Sequence, residues 1–278
     1  MRRRTTIALQ AALLVFPIGC AVPIDSSVEE EQIEEAAAIV ADNALVPNAL
    51  VPNALVPNAL VPNALVPNAL VPNALAAIKD SGLGGTLSRL FVKYAVSCAF
   101  NPTQRFSFSW TDTEDVIHQE VYYGLLGIAP SWACEPLLKE HDQEMVSACL
   151  AARTNYYATP VTISMRSPQS PLKTLVGSVE LAAFPYVEGG FWGNLFTTNP
   201  YLGACYSAAN VAHSRAALRE CATGHLDGTG GTVPCGIINI IGPCESRCQN
   251  LNNAGKYYPS CTDPVWGSTQ NVITTALP

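Results

Sequence analysis

Positive charge is scarce in this chain. It carries 15 Lys and Arg against 22 Asp and Glu, and three of the fifteen are Arg2, Arg3 and Arg4. From residue 20 onward, 12 basic residues face 22 acidic ones. Nucleic-acid binding by phosphate neutralisation needs a basic face, which this balance does not supply. The same deficit gives no pull toward anionic lipid. Long apolar runs are missing too. The stretch at 7–16 covers ten residues, against the roughly 20 that a spanning helix needs. No G-x-S-x-G elbow is present, which removes the commonest signal of a serine hydrolase. Residues 43–75 lack charge, aromatic rings, cysteine and histidine altogether.

What is present begins with an export signal. Arg2–Arg4 form a positive n-region, and residues 7–16 fit an apolar h-region. The sequence Pro17-Ile18-Gly19-Cys20 resembles a bacterial lipobox, which implies cleavage after Gly19 and a lipid on Cys20. Pro17 departs from that pattern, since Leu is usual there. Cleavage after Ala21, following small residues at alternate positions, is the other reading. The chain is therefore expected to be exported to the cell envelope, held by a lipid anchor in the outer membrane or at the cell surface. Without lipidation it would be secreted.

Residues 20–42 form an acidic linker. Ser27-Val28-Glu29-Glu30 fits a capping box, which predicts a short helix. The motif NALVP then repeats six times over 43–72, with a seventh NAL at 73–75. A proline at every fifth position removes amide donors and biases the residue before it toward extended geometry. A spacer reaching up to roughly 100 Å, at about 3.1 Å per residue, is the expectation. Six units are too few for a stacked solenoid.

Residues 78–278 are expected to be a cysteine-rich α+β domain. Its predicted core is a small mixed sheet with two to three helices and a loop-rich, disulfide-rich C-terminal part. The spacing of Leu87, Leu90, Phe91, Tyr94 and Cys98 predicts a helix over 86–99. Alternation at 106–110 predicts a strand, with residues 116–123 as its returning partner. A second helix is predicted over 138–153. Strands are predicted at 161–165, within 175–184 and within 265–277, and a helix at 208–222. The glycine-rich stretches 188–196 and 223–236 read as loops.

Nine cysteines follow Cys20: Cys98, Cys134, Cys149, Cys205, Cys221, Cys235, Cys244, Cys248 and Cys261. Export favours disulfides. An odd number leaves at least one thiol over, and with it a covalent homodimer. Cys235, Cys244, Cys248 and Cys261 could supply four thiolates to zinc, but in an exported chain disulfides are the expectation. No metal or cofactor is expected. His225 and Asp227 share a glycine-rich loop without making a ligand set. Cys134, beside Trp132, would need His118, His141 or His213 as base to act as a nucleophile. Among acids, His141 and Asp142 sit with Glu140 and Glu144 at a helix start, where carboxylates also suit the macrodipole. Glu188, ahead of Gly189-Gly190-Phe191-Trp192, is the remaining weak catalytic candidate.

Several phrases together carry a resemblance: VSACLAARTNYY-x-x-PVTISMR at 146–166, EGGFWGNLF at 188–196, RECATG at 219–224 and YYPSC at 257–261. They are similar to a group of exported, cysteine-rich proteins of myxobacteria. The resemblance implies export and an extracytoplasmic fold and brings no site residue with it. The expected function is binding or scaffolding of a protein or glycan at the cell envelope. An exported hydrolase of glycan or peptide is the alternative.

Overall fold

A computed structural model describes residues 45, 47–50, 65, 72–173, 177–252 and 254–278, apart from the side chains of residues 48 and 72. The signal segment, Cys20 and the capping-box helix lie outside the described residues. The fold is α+β, as predicted. Helices α1 (Pro72–Lys79) and α2 (Leu83–Ala99) lead into a hairpin of β1 (Arg105–Thr111) and β2 (Ile117–Tyr123). Helix α3 (Glu140–Ala152), strand β3 (Ser164–Arg166), helix α4 (Ser178–Ala183), β4 (Tyr186–Asn194), β5 (Tyr201–Tyr206) and helix α5 (Val211–Ala216) follow. The C-terminal part holds β6 (His225–Leu226), β7 (Thr232–Val233), β8 (Ile238–Pro243), β9 (Cys261–Asp263), β10 (Gly267–Thr269) and β11 (Ile273–Leu277). The main sheet runs β3-β11-β4-β5-β8; β5 and β8 are parallel and the other neighbours antiparallel. Among the described residues no helix is long and apolar enough to cross a membrane.

Helix α2 begins three residues before the predicted start because Asp80 accepts the amides of Gly82 and Gly85. That satisfies donors a helix start leaves unpaired. The hairpin matches its expectation: Phe106 and Phe108 turn inward against Tyr122, and Asp112 accepts the amides of Glu114 and Val116 at the turn.

The largest departure is residues 188–196. The predicted loop is strand β4, the middle of the sheet, buried almost from end to end. A strand covered on both faces loses the alternation by which strands are recognised. Its glycines serve close packing. A Cβ on Gly189 would stand 2.1 Å from the Cys205 carbonyl oxygen. Across the ladder, Trp192 faces Gly203, where a Cβ would stand 2.4 Å from the indole nitrogen. Two further elements differ. The strand predicted within 175–184 is helix α4 in its described part, and the helix predicted over 208–222 is reduced to α5.

Eight cysteines form four disulfides: Cys98–Cys149, Cys205–Cys244, Cys221–Cys235 and Cys248–Cys261. The first ties α2 to α3. Cys134 is also disulfide-bonded. The expected unpaired thiol is therefore not found among the described cysteines.

The described parts of the repeat pack against the domain. Leu45, Ala49, Leu50, Leu65 and Ala74 are buried in the main hydrophobic cluster. The Leu45 carbonyl accepts the Asn155 amide at 2.9 Å, and the Leu65 amide donates to the Trp132 carbonyl at 2.7 Å. Prolines that exclude a long helix still permit short pieces: a 3-10 turn at Pro47–Leu50 and helix α1, which carries proline at its first position. A repeat leucine that is fully buried should matter to stability. Leu45→Ala is expected to lower the unfolding free energy by about 2–5 kcal/mol in urea titrations. An unchanged midpoint would return the tract to a tether.

Candidate functional site

Glu188 is not in a loop and does not face solvent. It is wholly buried on β4 and makes a two-pronged ion pair with Arg219, at 3.0 Å to Nε and 2.9 Å to Nη2. The Thr275 hydroxyl on β11 donates to the same carboxylate at 2.7 Å. Arg219 donates onward to the Ala152 carbonyl at 2.7 Å and to that of Thr154. These carbonyls belong to the C-terminal end of α3, where unpaired acceptors need partners. A carboxylate so fully engaged holds structure together.

The other end of α3 opens on a cleft. Glu140, His141 and Glu144 line a cavity of about 420 Å³ together with Trp192, Tyr201, Trp266 and residues 267–271. Asp142 is partly buried and is not among the lining residues. Trp266 is 50% exposed and stacks on Tyr201 with ring centroids 4.2 Å apart and planes 14° from parallel. Asp263 sets this pair. One carboxylate oxygen accepts the amides of Val265 and Trp266, fixing the β9–β10 turn, and the other accepts the Trp192 indole N–H at 3.3 Å. Glu144 accepts the Asn271 side-chain amide. The Tyr201 phenol is pushed up to about 12, first by burial and then by the negative charges of Glu144, Glu140 and Asp263.

Beyond residues 268–270 lies a second cavity of about 720 Å³, which Arg247 and Cys248 also line. The two share Ser268, Thr269 and Gln270 as a common wall. Behind it the sulfurs of Cys205, Cys248 and Cys261 lie within 4.8 Å of one another. All three are oxidised in disulfides, so none offers a thiolate to a metal. Cys235, grouped with them by sequence, pairs elsewhere with Cys221.

The remaining candidates are dispersed. His225 sits on Tyr156 at 3.9 Å and bonds Glu220 at 2.7 Å, while Asp227 closes its own turn onto Thr229 and Gly231. His118 pairs with Asp112, and His213 with the Pro278 carbonyl. Cys134, being in a disulfide, is no nucleophile.

Tyr201 and Trp266 were invisible as a pair in sequence, 65 positions apart, although Trp266 follows a Pro-Val step in a turn-rich segment. Comparison with protein-family models, with curated proteins and with solved structures found no match. The raised phenol offers a direct check on the cleft. A group whose folded pKa lies above its ordinary value favours folding below that value and loses the contribution as pH rises. Spectrophotometric titration of wild type should show one tyrosine ionising near pH 12 that is missing from Tyr201→Phe. Between pH 10 and 12 wild type should lose stability relative to that variant.

Proposed function

We propose that this protein binds glycan through the cleft between α3 and the β9–β10 turn. It would do so as an exported protein of the cell envelope. The observation that carries the reading is the Trp266–Tyr201 stack: a half-exposed indole supported from behind and rimmed by carboxylates, amides and hydroxyls. Sugar rings present a C–H face that packs on an aromatic plane and a hydroxyl periphery that hydrogen-bonds to such groups. An indole held flat by a second ring loses little freedom on binding. Glu140 and Glu144 accept hydroxyl protons, and Ser268, Thr269 and Gln270 donate or accept as needed. Four disulfides among the described residues agree with an oxidising destination.

The hydrolase alternative shares this cleft through Glu140, His141 and Glu144, one helical turn apart. The glycan site does not depend on a lipid at Cys20. Intrinsic tryptophan fluorescence, titrated with soluble cell-wall and capsular oligosaccharides, tests the reading. Wild type is expected to bind at least one, and Trp266→Ala to lose tenfold or more in affinity, about 1.4 kcal/mol. Equal binding by wild type and Trp266→Ala, or no binding across the panel, would contradict it. Release of new reducing ends would favour hydrolysis.

A further inference from the structure

Two disulfides lie side by side where β5, β8 and β9 converge. The Cys205 and Cys248 sulfurs are 3.4 Å apart, and they belong to different bridges, Cys205–Cys244 and Cys248–Cys261. Three of the four residues are buried; Cys248 is partly exposed and lines the 720 Å³ cavity. The Cys248 amide donates to the Cys244 carbonyl at 2.7 Å, so the two stand four residues apart on a helical turn. Side chains at that spacing share a face, with Cβ atoms about 5–6 Å apart. Arg247 sits beside the opening, and its positive charge favours the approach of an anionic thiolate.

We infer that this sulfur cluster is a thiol–disulfide exchange centre, opened from the cavity by an external thiol and able to change its own pairing. An incoming thiolate attacks the Cys248 sulfur, forming a mixed disulfide and releasing the Cys261 thiolate. Cys261, within 4.8 Å of the Cys205 sulfur, attacks it. The Cys205–Cys261 bond forms, strand β5 keeps its place, and Cys244 leaves as a thiolate. Cys244 then attacks Cys248, forming Cys244–Cys248 and expelling the external thiolate unchanged. Two disulfides enter and two leave, so no oxidant or reductant is consumed and the thiol acts catalytically. Crowding of the sulfurs supplies what exchange requires: each released thiolate has a disulfide within reach before it is lost to solvent.

The test uses the full chain, folded, with reduced glutathione below the molar amount of protein at mildly alkaline pH. After acid quenching, the disulfides are mapped by non-reducing digestion and mass spectrometry. The expected result is linked peptides for Cys205–Cys261 and Cys244–Cys248 beside the original pairs, with Cys98–Cys149 and Cys221–Cys235 unaltered. Cys248→Ser/Cys261→Ser, which removes the exposed bridge, should leave Cys205–Cys244 without any exchange product. Original pairing alone in wild type would overturn the inference. So would scrambling that reaches all bridges equally, since that marks general opening of the chain.

Discussion

One buried ion pair fixes the relation between the sheet and the helix that builds the cleft. Glu188 lies in the central strand and Arg219 in the segment after α5; neither is reached by solvent. Burying two charges is unfavourable unless every donor and acceptor finds a partner. Here they do: the carboxylate takes Arg219 and Thr275, and the guanidinium directs its remaining donors to carbonyls at the end of α3. The pair thereby joins β4, β11 and α3 at one point. Thr154, which supplies one of those carbonyls, also bridges to Leu45, so the repeat is tied to the same point.

With its C-terminal end pinned there and its body stapled to α2 by Cys98–Cys149, α3 presents Glu140, His141 and Glu144 at a fixed height over Trp192 and Tyr201. The opposite wall is a short hairpin that carries Trp266 and starts at Cys261. The disulfides crowd under this hairpin because short strands and turns have little core of their own to hold them. Aromatic platform, carboxylate rim and sulfur cluster thus lie around one wall, residues 268–270.

Much of the periphery was legible in the sequence. Helix α2 and the β1–β2 hairpin keep an exposed face, and one-sided burial leaves a period that can be read; α3 is covered all round over 145–152 and was marked instead by its length and its polar start. The centre was not legible, for the same physical reason. Residues 188–194 are covered on both sides, so no period survives, and their glycines answer contacts with Cys205, Tyr201 and Leu202 that only the folded chain reveals. Glu188 looked like a loop acid because its partner stands 31 positions away. For the repeat, proline spacing argues against a long helix but says nothing about where the leucines between prolines go. His141 reached the cleft because a helix start carried it there; Asp142, one residue on, is not part of the lining.

A double-mutant cycle tests the central claim most directly. Wild type, Glu188→Gln, Arg219→Met and the double variant are unfolded in urea under one condition. Each single change strands a buried polar partner and is expected to cost about 3–5 kcal/mol. The double variant should be less destabilised than the sum of the two by at least about 1 kcal/mol, because it strands no charge. Strict additivity would contradict the account, for it would mean that the two residues act independently and that the ion pair does not set the position of α3 on the sheet.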